Sequence, residues 1–412
     1  MKNDDQPTNG AKFRQRIYAV DLLRGIVMMI MLLDHTREFV HAGALTSDPT
    51  DPATTTVAVF FTRWITHFCA PAFVFLSGVS IYLQKANGKT NAELSRFLWT
   101  RGLWLIFLEF TLIRFLIVFN VDYTFLGMAQ VIWVIGVSMI VMAALIYLPV
   151  RVVGIAGLLM IVLHNLLDGF NISPLIAFVG TPPPDLSQSL WIIFHQIGIV
   201  RPFGSTQIFF AYALIPWIGV MMAGYAFGTI YGWDGDRRRK LLFVVGLLSA
   251  AMFVVIRAIN VYGDPVPWAA QANPAATFLS FLNTTKYPPS LLFLFMTLGP
   301  SIIVLGLADR IAGKAVWQRV CITFGRVPMF YYILQWAMAH TMGIVLAYFA
   351  GKGIGYLFRN LLEMGQSVPE GYGSPLWVAY GAWLAGLTIL YPLCRWWDKV
   401  KRENKHWALS YL

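Results

Sequence analysis

Runs of about 20 apolar residues recur along the whole chain, and this limits the folds open to it. Each run is long enough to cross a bilayer as a helix. Lipid cannot satisfy free backbone N–H and C=O groups, so a chain with many such runs must build a helix bundle. The predicted fold class is therefore all-α, a polytopic integral membrane bundle of about ten transmembrane helices. The spans are placed at 17–40, 57–84, 97–120, 124–148, 152–168, 206–231, 240–261, 289–309, 319–349 and 375–396. With 58% hydrophobic and 12% charged residues, the 412-residue chain is too apolar for a soluble protein. The first run is long, carries charges and lacks a small-residue cleavage site, so it is expected as a retained helix rather than a signal peptide.

The net charge of +11 raises nucleic acid as a partner, but the basic residues are not gathered on one soluble domain. They recur at alternate segment ends: Lys2, Lys12, Arg14 and Arg16; Lys85, Lys89, Arg96 and Arg101; Arg237 to Lys240; Arg310, Lys314 and Arg319; Arg395, Lys399, Lys401, Arg402 and Lys405. With ten spans these clusters share one side, the pattern of cytoplasmic loops. Both termini are thus expected in the cytoplasm, with tails 1–16 and 397–412 flanking a transmembrane domain at 17–396. The expected location is the inner (plasma) membrane, with a lipid bilayer and no nucleic acid as partner. The opposite side receives the longer loops 41–56, 169–205, 262–288 and 350–373. There Pro182-Pro183-Pro184 breaks regular structure. Residues 187–199 and 275–283 are apolar but too short to span, which suits the interface. Cys69, Cys321 and Cys394 show no disulfide or zinc spacing.

Ionisable groups inside a membrane helix are costly and mark function by default. Arg24 and His35 lie eleven residues apart on the first span. That separation rises about 16 Å and turns about 1100°, returning the side chains to within roughly 20° of each other. One helix face thus carries a cation near one membrane surface and an imidazole near the other. His35 is a candidate general base for an attacking amine or hydroxyl. Asp34 precedes it but points about 100° away on an ideal helix. It would orient His35 only through an irregular helix end or a bridging group. Arg37, Glu38 and His41 follow, and His41 is a rival base. A second polar face pairs Arg63 with His67, four residues on. An interhelical polar network would account for that pair equally well.

Asp21, Arg24, Arg101 and Arg326 lie toward the cytoplasmic side. Arginines from three segments at one depth suit a polyanion, since guanidinium matches phosphate geometry. Snorkelling anchors would have the same sequence. Glu109, Arg114 and Arg257 are embedded and are expected to meet partners on other helices. His164 and Asp168 are four apart, but no third ligand is evident and no metal is expected. In Asn283-Thr-Thr-Lys-Tyr-Pro-Pro-Ser290 two prolines fix the start of the eighth span and aim Lys286 and Tyr287 at its outer mouth. Lys286 is a candidate to hold an anionic or carbonyl group; an interfacial anchor is the alternative. The ninth span repeats the first: Arg326 is followed by His340, about 21 Å further along.

At these residues the chain resembles the bacterial relatives of heparan-α-glucosaminide N-acetyltransferase, a transmembrane acyltransferase family. The resemblance is carried by Asp21-Leu-Leu-Arg-Gly25 through Asp34-His35, by Cys69-Ala-Pro-Ala-Phe-Val-Phe-Leu-Ser-Gly78, by Thr285-Lys-Tyr-Pro-Pro-Ser290 and by Phe324-Gly-Arg-Val-Pro328. The Arg24-to-His35 spacing is also similar to that of membrane acyltransferases that acetylate bacterial surface glycans, where the histidine is the catalytic base. That comparison implies His35. In the heparan enzyme an asparagine stands at this position and the active histidine lies further out, which implies His41. The choice stays open, with His35 preferred.

The resemblance implies a cytoplasmic acyl-CoA co-substrate, most simply acetyl-CoA, with its phosphates at Arg24, Arg101 and Arg326. An outer histidine would deprotonate a glycan or amino-sugar acceptor of the cell envelope, with Arg37, Arg63, His67, Lys286, Tyr287 and His340 as candidate substrate-binding residues. Transfer runs either directly or through an acyl-histidine. A homodimer is compatible with this reading. The competing class is a multi-pass transporter for a small polar or anionic solute, in which the same groups bind substrate or relay protons. It lacks the inverted repeats such folds usually show.

Overall fold

The computed structural model of the protein describes residues 17–173, 183–311, 313, 315–404 and 406–411. Lys2, Lys12, Arg14, Arg16, Pro182, Lys314 and Lys405 lie outside these. At the centre stands α1 (Tyr18–Val40). Helices later in the chain pack against it on several sides, and most of its residues are buried. Protein rather than lipid surrounds it, so it can carry Asp21, Arg24, Asp34, Arg37 and Glu38.

The second expected span is two helices, α2 (Val57–Thr66) and α3 (Cys69–Ala86), broken at His67 and Phe68. The third is α4 (Asn91–Leu108), a π-helical turn at Glu109–Ile113 and α5 (Arg114–Val118). Strand β1 (Phe125–Ala129) then leads into α6 (Val131–Leu145), and α7 (Val150–Leu163) follows. Helix α8 (Leu186–Phe194) precedes a hairpin of β2 (Gly198–Phe203) and β3 (Thr206–Phe210). The chain continues through α9 (Leu214–Phe227), α10 (Gly235–Ile259), α11 (Pro274–Leu282) and α12 (Leu291–Ile311). The expected ninth span is divided at Val327, ahead of Pro328, into α13 (Val316–Arg326) and α14 (Pro328–Phe349). Proline at the first position starts a helix without losing a bond but cannot continue the preceding one. A short α15 (Leu361–Met364) precedes α16 (Leu376–Glu403).

The sheet corrects the all-α expectation. Its strands run in the order β1-β3-β2, with β1 parallel and β2 antiparallel to β3. The spans expected at 124–148 and 206–231 therefore begin as strands. Short apolar runs fit strand or helix equally well by periodicity, and pairing between distant segments decides. Irregular or extended backbone is tolerated in an apolar bundle only when protein satisfies it, as β1 and β3 do for each other.

Seven helices among the described residues are long and apolar enough to cross a membrane, the α2–α3 pair counting as one. Helix α1 is not among them, because it carries too many charged residues, Asp21, Arg24, Asp34, Arg37 and Glu38. Helix α6 is shorter, at 15 residues. The outward faces of α7 and α10 are apolar, with Ile155, Leu158, Leu247 and Leu248 exposed, as a lipid-facing surface requires.

One close approach sets the register of the centre. A Cβ on Gly25 would lie 1.7 Å from the Cys321 carbonyl oxygen, and one on Gly325 would lie 1.9 Å from that of Asp21. The backbones of α1 and α13 thus touch through small residues. This brings Arg24 and Arg326 to the same depth.

Candidate active site

A cavity of about 640 Å³ is bounded by α1, α3, α4, α6, the end of α13, α14 and α16. One part of its wall is basic: Arg24, Arg101, Arg326, Lys401 and Arg402. Two carboxylates and nearby polar groups hold the guanidiniums in place. Arg24 donates to the Gly325 carbonyl at 3.2 Å and to Ser80 Oγ at 3.1 Å, and pairs with Asp21 at 3.4 Å. Arg326 lies 3.9 Å from Asp21 and 3.4 Å from Asp398, and Arg402 reaches the same Asp398 at 3.4 Å. Guanidiniums already ordered by carboxylates lose less freedom when they bind an oxyanion. The structure therefore brings together Arg24, Arg101 and Arg326, from three distant segments. It adds Lys401, Arg402 and Asp398, because α16 continues through residues expected in the tail.

A smaller cavity of about 40 Å³ lies beyond it, lined by Asp34, His35, Thr66, Cys69, Gln130, Tyr212 and Lys286. Met31, Phe73, Val131 and Tyr332 line both spaces, so one layer of side chains separates them. The axis from Arg24 to His35 follows α1, a rise of about 16 Å.

His35 is stacked on Trp336 of α14, with ring centroids 3.6 Å apart and planes 19° apart. Its Nδ1 is buried with no protein partner. Asp34 is engaged by cations: it forms an ion pair with Arg63 from α2 and accepts from Arg37 at 3.3 Å. Glu38 completes this cluster, 3.8 Å from Arg37 and 4.0 Å from Arg63. The regular end of α1 thus turns Asp34 toward the guanidiniums rather than under the imidazole.

Lys286 is carried by the loop between α11 and α12, and two buried residues brace that loop. Asp264 accepts from Thr285 N and Oγ1, both at 2.9 Å, and from Ser290 Oγ at 2.6 Å. Arg257 donates to the carbonyls of Ser280, Phe281 and Asn283 at 2.6 to 3.1 Å. The Tyr287–Pro288 peptide is cis. Tyr287 meets Tyr212 edge to face at 5.6 Å, and Lys286 Nζ lies 5.1 Å over the Tyr287 ring.

The other predicted residues lie outside these two linings. His41 ends α1, and its Nδ1 lies 3.1 Å from the Ser374 carbonyl in an isolated bridge. Partial burial lowers its pKa below the ordinary imidazole value, against the pull of the Ser374 carbonyl. His67 sits in the break between α2 and α3 against Phe293. His340 is packed between Phe39 and Phe119 and contacts the Leu116 carbonyl at 3.1 Å. The inner-cation, outer-imidazole pattern of the first helix is thus not repeated in a second cavity wall. Glu109 accepts from Trp133 N at 2.9 Å and so caps α6. Arg114 binds the 120–125 loop and Asn360. Asp168 pairs with His195 at 3.1 Å rather than with His164. Among the described residues, no three His, Cys, Asp or Glu side chains group as metal ligands.

Tyr212, Gln130 and Trp336 carried no signal in the sequence. Tyr212 and Gln130 sit at strand ends, and a side chain that stacks on a histidine is an ordinary aromatic until α14 is placed.

A family model described as heparan-alpha-glucosaminide N-acetyltransferase, catalytic, matches residues 16–262. The match takes in Arg24, His35, Arg63 and Arg101 and stops before Lys286 and Arg326. No curated protein matches the chain. The family match covers more than half of the sequence, and its stretch holds the central helix and both cavities' first walls. The chain belongs to the heparan-alpha-glucosaminide N-acetyltransferase catalytic family, a family of membrane acetyltransferases.

Proposed function

We propose that the protein transfers an acetyl or other short acyl group from acyl-CoA to an amine or hydroxyl of an envelope sugar on the far side of the membrane. The observation that carries this reading is the alignment of the basic cavity and the His35 cavity along α1, with one layer of side chains between them. Arg24, Arg101 and Arg326 suit the phosphates of the donor, and Lys401 and Arg402 add charge at the same wall. Met31, Phe73, Val131 and Tyr332 suit the uncharged arm. On this reading the basic end faces the cytoplasm, both termini lie there, and the membrane is the inner (plasma) membrane.

At the far end His35 accepts the proton of the attacking amine or hydroxyl as the new bond to the acyl carbon forms and the C–S bond breaks. The leaving sulfur takes up a proton. Lys286 stands beside His35 to stabilise charge on the acyl oxygen, the role that such donors play best in a dry site. Arg37, Arg63, His67 and Tyr287 surround the acceptor side. His35 is favoured over His41 because it lines the inner space, whereas His41 is engaged with the Ser374 carbonyl.

The test is binding and turnover of radiolabelled acetyl-CoA by the purified protein, beside His35→Ala and His41→Ala. The expected result is label transfer or CoA release in wild type and in His41→Ala, and none in His35→Ala. Loss only in His41→Ala would move the base. A folded wild type that binds no CoA would sink the acyltransferase mechanism and favour transport.

A further inference from the structure

Beyond α16, residues 406–411 lie against α4 and are fastened there. Asn404 ends the helix, and residues Trp407–Ser410 form a single 3₁₀ turn started by His406, whose Nδ1 accepts from Ala408 N at 3.3 Å. Tyr411 then lands on α4: its hydroxyl lies 2.6 Å from Thr100 Oγ1, and its ring meets Phe97 at 6.0 Å, edge to face. Trp407 stacks edgewise on Tyr411 at 5.9 Å and is itself 72% exposed.

The helices on either side of this segment both contribute to the wall of the basic cavity. Lys401 and Arg402 line it from α16, and Phe97 and Arg101 line it from α4. Cations also gather over the aromatic end. Lys89 Nζ lies 4.3 Å over the Phe97 ring, and the Arg101 guanidinium carbon lies 5.9 Å from its centre. The rim therefore carries an aromatic row, Phe97 in the cavity wall with Tyr411 against it and the exposed Trp407 against Tyr411, and the Arg101 guanidinium lies at the Phe97 end of that row. That combination is how proteins hold a nucleotide: stacking for the base, cations for the phosphates.

We propose that residues 406–411 form a strap that holds the purine base of the acyl donor against Trp407 at the mouth of the basic cavity. This rests on the acyl-CoA reading above. Under it, the strap recognises the nucleotide end of the donor and leaves the pantetheine arm to the deeper wall. An aromatic anchor at the membrane interface is the competing role for an exposed tryptophan. The two roles differ in what they discriminate, since an anchor does not distinguish ligands that share an arm.

The experiment measures dissociation constants of CoA and of 4′-phosphopantetheine, which has the same arm and lacks the nucleotide. It uses calorimetry on the full chain, as wild type, Trp407→Ala and Tyr411→Phe. The expected result is a CoA dissociation constant raised about tenfold by Trp407→Ala, as loss of one base stack would give, with 4′-phosphopantetheine unchanged. Tyr411→Phe keeps the ring and removes the tie to Thr100, so a smaller rise for CoA alone is expected. Equal weakening of both ligands, or no change in either, would overturn the strap. A folded wild type that binds neither ligand would remove the acyl-CoA reading itself, and the strap with it.

Discussion

The His35 ring lies flat on Trp336, their centroids 3.6 Å apart, across the contact between α1 and α14. The imidazole is therefore set by packing against an indole, while the adjacent carboxylate of Asp34 is given to Arg63 and Arg37. If His35 is the general base proposed above, its aim depends on the position of α14.

Replacing Trp336 by Leu should leave the fold intact and misplace the ring. The expected effect is a fall in kcat of about tenfold or more, with the KM for acyl-CoA changed less than about threefold, because an orientation is lost and not a binding contact. His35→Ala should lower kcat by about a hundred- to ten-thousandfold. Single-turnover CoA release reads both, and a KM effect without a kcat effect for Trp336→Leu would refute the aiming role.

Removing a cation at the basic wall should act in the opposite way. Arg326→Gln is expected to raise the KM for acyl-CoA by about ten- to a hundredfold, the range for a charge-assisted bond, with a small change in kcat. The affinity should also lose part of its salt dependence. Titration at low and high ionic strength checks this, and a salt dependence equal to that of wild type would speak against phosphate at Arg326.

The contact of α1 with α13 leaves no room for a side chain. Gly25→Leu should destabilise the protein by at least about 3 kcal/mol, because the atoms in the way are backbone and not the end of a flexible side chain. Thermal unfolding in detergent would show it. A wild-type melting temperature would mean that the two helices separate freely.

Asp264 touches neither cavity, yet it holds both ends of the loop that carries Lys286. Asp264→Asn should cost about 2 kcal/mol, since either orientation of the amide sets its NH2 against a group that donated to the carboxylate, and the charge opposite Arg257 is lost. Catalysis should suffer through kcat more than through KM. A variant that melts earlier but keeps the wild-type kcat would show that the loop needs no such brace for its function.

Local geometry made some of this site legible. Arg24 and His35 share one helix, and a regular helix fixes where residues eleven apart must point. The apolar runs declared the membrane helices for the same reason, since bilayer thickness acts on each run separately. Where neighbours decided, the sequence was silent or misleading. Phe125–Ala129 and Thr206–Phe210 read as the starts of spans and became strands because each found the other. His340 repeated the pattern of His35 and was taken up by Phe39 and Phe119. Lys401 and Arg402 read as tail and became cavity wall because α16 did not stop.

By itself, then, the sequence determined a polytopic helical bundle with a charged central helix, because those follow from local hydrophobicity and helical pitch. Only the tertiary structure decided which charges meet. Close backbone approach at Gly25 and Gly325 set Arg24 beside Arg326, and a loop braced from Asp264 and Arg257 brought Lys286 to His35. Such contacts depend on several distant segments at once, and no stretch of sequence encodes them alone.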